Sequence, residues 1–343
     1  MSLERGGILI LTDGRPGHET QALGIAKILN YKNNFDIHYL KINHPRKLLK
    51  QLFKLGYTLF PKTWMLNFFM NPTQLSNEVL NKRIDFIISA GGDTLLPNAL
   101  LKKYLISKGK CVRNIIATSL RGMPEHAYDV VFTIDAKKEN QPPYLYHPIA
   151  PNKLISFNLE EEAKQARALL SIKPEQNVWS ILIGADTQDV KIANVQYWVE
   201  MIRGLLQQYQ DDTFLISTSR RTPAEFEQTL KLAFAESINV KLILVGEGDQ
   251  TAVADLMYAA NFIICSPDST SMVSESLMLR KPVFIAQFDA TEMSPEFEAY
   301  YADKQQKSWL RLSSMHNLEI SAEQKKFNYL NHADIFLEKF NAI

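Results

Sequence analysis

Short apolar runs recur along the chain, each followed by residues spaced for a helix. In the first half the runs are Gly7–Thr12, Asp36–Ile42, Ile84–Ala90, Asn114–Ser119 and Val130–Ile134. In the second half they are Val178–Gly184, Thr213–Ser219, Val240–Gly246, Phe262–Ser266 and Pro282–Ala286. Most are nearly continuous in Ile, Leu, Val and Phe, the pattern of a parallel strand covered on both faces. Ala22, Ile25, Ala26 and Leu29 follow the first run at helical spacing, and Val195, Trp198, Val199, Ile202 and Leu205 follow Val178–Gly184 in the same way. Strands alternating with helices predict βαβ units and parallel sheets. The alternation breaks at Gln141-Pro142-Pro143, His147-Pro148 and Pro151, where dense proline predicts a linker. The expectation is an α/β chain of two domains, residues 1–150 and 151–320, with the change-over inside 145–175. A terminal segment, 321–343, carries a helical stretch Ala322–Phe340 expected to pack back on the first domain.

The length agrees with this division, because 343 residues exceed one ordinary core at roughly 150 residues per domain. Lys and Arg number 38 against 37 Asp and Glu, so a duplex nucleic acid is not an expected partner. Cys111 and Cys265 form no CxxC pair and no Cys/His ligand cluster, which argues against structural zinc or a disulfide framework. No apolar stretch of 18 residues occurs, and Met1–Arg5 leads straight into a strand-like run without a signal-peptide pattern. The expectation is a cytoplasmic protein. Residues 46–70 qualify that picture. Arg46, Lys47, Lys50, Lys54 and Lys62 are interleaved there with Leu, Phe, Tyr and Trp, without an acidic residue. Such a segment suits either peripheral contact with anionic lipid at the inner face of a membrane or a helix pair with solvated lysines.

Ligands of open α/β sheets bind beyond the carboxyl ends of the strands, so the loops there are the candidate sites. After the first run comes Thr12-Asp13-Gly14-Arg15-Pro16-Gly17-His18-Glu19. Its glycines and proline make a tight turn into a helix, and His18 or Asp13 is a candidate general base, with Gly14, Arg15 and Gly17 near an acceptor. After the third run, Gly91-Gly92-Asp93-Thr94 pairs glycines with a carboxylate that serves either as helix cap or as a second candidate base. Ser217-Thr218-Ser219-Arg220-Arg221-Thr222-Pro223 suits a phosphate, because guanidinium groups grip phosphate in a fork. In Cys265-Ser266-Pro267-Asp268-Ser269-Thr270-Ser271-Met272-Val273-Ser274-Glu275 a strand ends, hydroxyls follow and a helix opens. Ser269 or Asp268 can cap that helix, and its first amides make an anion site. Glu275 lacks a capping-box or i+4 partner, so it is a candidate for ribose hydroxyls. Gly184, Gly246 and Glu247 also end strands.

These segments together resemble the mitochondrial fission ELM-type family of GT-B-like glycosyltransferases. TDGRPGHETQALGIA, ISTSRRTP and SPDSTSMVSESLMLRKPV carry the resemblance, which covers most of the chain. The last segment is also similar to the donor-site helix of the peptidoglycan N-acetylglucosaminyltransferase. The chain departs from the pattern at Gly91–Thr94, where a basic, Arg-containing segment is expected. The resemblance implies a GT-B fold, with two Rossmann-like domains and parallel sheets facing a central cleft. It implies a nucleotide-sugar co-substrate held by the second domain, an acceptor on the first, and neither bound metal nor tightly bound cofactor.

The activity so implied is an inverting glycosyl transfer to a glycan or lipid-linked acceptor, in cell-envelope polysaccharide (lipopolysaccharide or capsule) synthesis. Ser219, Arg220 and Arg221, with the amides of Ser269, Thr270 and Ser271, would hold the donor phosphates beside Gly184, Gly246, Glu247, Ser266 and Asp268. Glu275 would bind ribose, and His18 oriented by Asp13 would take the acceptor proton, with Asp93 as the other candidate. Gly14, Arg15, Gly17, Gly91 and Gly92 would face the acceptor. Two rival readings are a small-molecule kinase built on the Gly91–Thr94 loop and a non-catalytic interaction protein that keeps a nucleotide fold.

Overall fold

The structure is a computed structural model and describes residues 6–45, 47–59, 63–71, 73, 75–313 and 332–342. Its contacts divide the chain into two units. The first reaches to Ile155 and includes the stretch from Ala333 onward; the second runs from Ser156 to His332.

All ten apolar runs form strands. In the first unit they are β1 (Gly7–Thr12), β2 (Asp36–Lys41), β3 (Phe86–Ala90), β4 (Arg113–Ala117) and β5 (Val130–Thr133). A sixth strand, β6 (Tyr144–Tyr146), lies inside the proline-rich stretch where the sequence pattern predicts only a linker. It is three residues long and pairs only with β5, so it has no long apolar run to announce it. The order is β2-β1-β3-β4-β5-β6, every pair parallel. β1 is buried at all six positions because helices α1 (Pro16–Asn30), α2 (Lys47–Leu59) and α3 (Leu95–Ser107) belong to crossovers that cover the sheet. A core of Leu9, Leu11, Ile87, Leu100, Ile116 and Val131 gathers on one face.

The prolines do not end this unit at 150. Lys153 accepts from Lys27 Nζ at 2.6 Å, and its amide donates to Thr20 Oγ1 at 3.1 Å, which ties the stretch to α1. Of the expected terminal helix, residues 322–331 lie outside the described residues; His332–Asn341 is helical. There Phe336 stacks on His147 at 3.8 Å and lies 5.6 Å from Phe132, while Lys339 Nζ donates to Tyr146 O at 3.0 Å.

The second unit opens with α4 (Leu159–Leu169) and continues β7 (Val178–Leu182), β8 (Val190–Lys191), α5 (Val195–Gln208), β9 (Thr213–Ser217), α6 (Ala224–Ala233) and β10 (Val240–Ile243). It ends α7 (Val253–Ala259), β11 (Phe262–Cys265), α8 (Thr270–Leu277), β12 (Val283–Ala286), β13 (Glu292–Met293), α9 (Pro295–Gln306) and β14 (Arg311–Ser313). The parallel sheet is β10-β9-β7-β11-β12-β14, and β8 and β13 form a small antiparallel pair. β14 is a second three-residue strand that the apolar pattern does not mark. Trp179, Trp198, Phe214 and Phe284 are fully buried, and the Trp179 indole donates to Asp212 Oδ2 at 2.8 Å, so its one polar atom is satisfied.

Candidate functional site

Strand order decides which loops matter. In the first sheet the order reverses between β1 and β3, and in the second between β7 and β11. At such a switch point neighbouring loops part and leave a crevice. The four loops there carry Asp13–His18, Gly91–Asp93, Gly184 and Ser266–Thr270.

In the first unit Asp13 follows β1 directly, with its side chain fully buried. Oδ1 accepts from Arg15 N at 3.2 Å, which closes the turn, and Pro16 then opens α1. The first turn of α1 brings His18 back over the strand end, with Nδ1 2.8 Å from Asp13 Oδ2. This contact places the proton on Nδ1 and leaves Nε2 as the basic atom. Gly91, at φ +88°, makes room for the ring: a Cβ there would stand 2.2 Å from His18 Nδ1. His18 and Gly91 line a cavity of about 420 Å³ with Thr118, Thr133, His147 and Pro151. Gly14, Arg15 and Gly17 are exposed and are not among its lining.

Asp93 is not the cap of α3. That position falls to Thr94, whose hydroxyl donates to Ala90 O at 3.0 Å and to Gly91 O at 2.9 Å. Asp93 Oδ2 instead lies 3.6 Å from Arg15 Nη2 and 3.8 Å from His44 Nδ1. His44 also meets Asp13 O at 3.3 Å through Nε2. His44 and His147 escape sequence reasoning, because each stands alone near proline with no periodic or motif signal.

In the second unit Ser269 caps α8, accepting from Met272 N at 3.3 Å, while Asp268 turns elsewhere. Among the described residues, no acceptor meets the Thr270 and Ser271 amides. The Asp268 carboxylate is fully buried, accepting from Ser266 Oγ at 2.5 Å and Arg221 Nη2 at 2.8 Å. It also fills the space beside Gly184, where a Cβ would stand 2.1 Å from Oδ1. Gly184 is therefore small to admit this carboxylate, which fills the space where the expected donor phosphates would approach its Cα. Arg221 is likewise engaged within the protein, which leaves the exposed Arg220 without a carboxylate partner among the described residues.

Other expected donor residues divide. The Ser219 hydroxyl is held in its own turn, 3.1 Å from Thr222 Oγ1. Gly246 N donates to Glu227 Oε1 at 2.9 Å, and Glu227, 2% exposed, also accepts from Thr218 Oγ1 at 2.5 Å. Glu247 is exposed and pairs with Lys231 at 2.8 Å, an ordinary surface ion pair that does not face the α8 amides by any contact. Glu275 sits half-buried on the second turn of α8. Tyr301 supports the loop from α9, donating to Pro267 O at 2.7 Å.

Two six-stranded parallel sheets, each with its loops gathered at a switch point, define a protein of the GT-B class. The chain belongs to the Mitochondrial fission ELM1 family, whose sequence profile matches residues 16–334. It is 28% identical over 144 residues to the lipid-A-disaccharide synthase of Aromatoleum aromaticum, a match spanning 42% of this chain and 34% of that protein. Among solved structures it is similar to the UDP-GlcNAc 2-epimerase of Methanocaldococcus jannaschii, at 14% identity and a TM-score of 0.59, over 98% of this chain and 99% of that one. The UDP-GlcNAc 2-epimerase of Neisseria meningitidis, solved with UDP-GlcNAc bound, gives 14% identity and a TM-score of 0.56 over the same shares. These two likenesses concern the fold.

Proposed function

We propose that the protein is a nucleotide-sugar-dependent glycosyltransferase that acts in envelope glycan synthesis, with the donor on the second unit and the acceptor on the first. The Asp13–His18 pair beside a cavity carries this reading. A base oriented by a buried carboxylate, at the wall of a space large enough for a sugar, suits removal of a proton from an acceptor hydroxyl. The partial match to lipid-A-disaccharide synthase supports the reaction class.

In the proposed reaction His18 Nε2 takes the acceptor hydroxyl proton as that oxygen bonds to the anomeric carbon of the donor sugar. The anomeric carbon–phosphate oxygen bond breaks, and the nucleotide diphosphate leaves with the electron pair. The Thr270 and Ser271 amides and Arg220 would balance the charge that develops there, without a metal ion. Glu275, on the same helix, would meet ribose hydroxyls. Attack opposite the leaving group inverts the anomeric centre.

The finer reading includes peripheral membrane contact through α2. Leu52 and Leu55 are 58% and 60% exposed, and Trp64 is 50% exposed on the following turn. Arg46 and Lys62 lie outside the described residues, and no helix among the described residues is long and apolar enough to cross a membrane.

A metal-free thermal-shift series with UDP, GDP, CMP, TDP and UDP-GlcNAc tests the proposal, followed by nucleotide release with water as acceptor. Stabilisation by a nucleotide in EDTA and loss of release in His18→Ala are expected. Absence of any nucleotide effect, or strict dependence on Mg²⁺ with ATP consumption, would point to the kinase reading or to a non-catalytic protein.

A further inference from the structure

The acceptor loops of the first unit carry an unanswered positive charge. Arg121 follows β4 at φ +48°, a left-handed conformation that a side-chain-bearing residue holds only when its surroundings impose it. Its guanidinium lies against the glycine pair after β3. A Cβ on Gly92 would stand 2.4 Å from Arg121 Nη1 and 2.8 Å from Cζ, so the bare glycine leaves room for this approach. Gly91, the preceding residue, lines the 420 Å³ cavity with His18. Among the described residues, no carboxylate pairs with the Arg121 guanidinium, and the side chain is exposed.

Two further cations flank it. Lys54 Nζ, from α2, donates to Arg121 O at 3.3 Å. Arg15 Nη2 stands 3.6 Å from Asp93, the residue after Gly92, with its side chain 65% exposed. The nearby acids are already engaged: Asp13 is buried against His18, and Asp93 faces both Arg15 and His44. A guanidinium fork, an ammonium and a second guanidinium around a glycine turn form the donor set that recognises phosphate.

We propose that Arg121, with Lys54 and Arg15, forms an anion subsite beside the His18 cavity, and that the acceptor is a phosphorylated amphiphile whose phosphate seats there. Its apolar part would extend toward α2, whose Lys54 joins the subsite and whose Leu52 and Leu55 are exposed. This subsite presupposes the acceptor reading of the first unit, but its test needs neither donor nor turnover.

Decyl phosphate is the probe, titrated into the full chain by calorimetry below its micelle concentration, with decyl maltoside as the neutral counterpart and inorganic phosphate as the free ion. Wild type is expected to bind decyl phosphate at least about tenfold more tightly than either control, as a charge-assisted contact predicts. Arg121→Gln should weaken that binding about tenfold, Arg121→Lys should restore part of it, and Arg203→Gln, at an exposed arginine on α5, should leave it unchanged. Equal binding of decyl maltoside, insensitivity to Arg121→Gln, or loss through Arg203→Gln overturns the subsite. Equally tight inorganic phosphate assigns it to a free ion and overturns the acceptor assignment. Nucleotide binding measured on the same samples reports the transferase reading separately, so either can fail alone.

Discussion

Arg221 and Asp268 meet at 2.8 Å, the carboxylate fully buried and the guanidinium more than half exposed. They are 47 residues apart and bring the loop after β9 against the loop that opens α8. Arg221 therefore serves first to satisfy a buried charge, and only its exposed edge remains for a ligand.

That relationship separates two adjacent arginines. Arg221→Ala strands the Asp268 carboxylate and should lower stability by about 1–3 kcal/mol, read as a reduced urea midpoint. Arg220→Ala should leave stability within about 0.5 kcal/mol of wild type while weakening nucleotide binding. Normal nucleotide affinity in Arg220→Ala would remove that residue from the phosphate site.

Asp13 and His18 should behave as one unit. Asp13→Asn and His18→Ala are each expected to reduce nucleotide release by about 10²–10⁴-fold, and the double variant little further. Gly91→Ala should fall in the same range, because its Cβ would displace the His18 ring. Additive losses would show that the two residues act independently.

Burial and the nearby Arg167 guanidinium push the Lys281 ammonium down from 10.5 to about 7. Its Nζ is held at the end of α7, donating to Met257 O at 2.9 Å and also to Tyr258 O. Unfolded, this lysine keeps its proton until about pH 10.5, so between 7 and 10 the unfolded state binds more protons and rising pH favours the fold. The slope from this one group is at most about 1.4 kcal/mol per pH unit. Urea midpoints of Lys281→Met should lack that rise relative to wild type; parallel profiles would mean that Lys281 stays charged throughout.

The exposed face of α2 makes a different prediction. Leu52→Glu with Leu55→Glu should reduce sedimentation with phosphatidylcholine vesicles containing phosphatidylglycerol, and leave nucleotide binding intact. Unchanged sedimentation, or none by wild type, would mean that this face does not meet a bilayer.

The inner strands, unlike the partly exposed edge strands β2 and β10, are readable because a strand covered on both faces must be apolar at nearly every position, as Ile8–Leu11 and Val178–Leu182 are. β6 and β14 are not, since each has three residues at a sheet edge and pairs on one side only. The Asp13–His18 pair is within reach of sequence reasoning for a local reason: one turn and the first helical turn join them.

The sequence by itself determined the α/β alternation, the loops that end the strands and the turn chemistry of Thr12–Glu19. Only the tertiary structure decided which strands lie side by side, and so which loops share a switch point. It alone set Arg121 over Gly92, put Asp268 in the space beside Gly184, and seated Phe336 on His147. The physical reason is that backbone propensity and hydrophobic period act over a few residues, whereas contacts between chain segments 29 to 189 positions apart depend on strand order and packing, which no local pattern encodes.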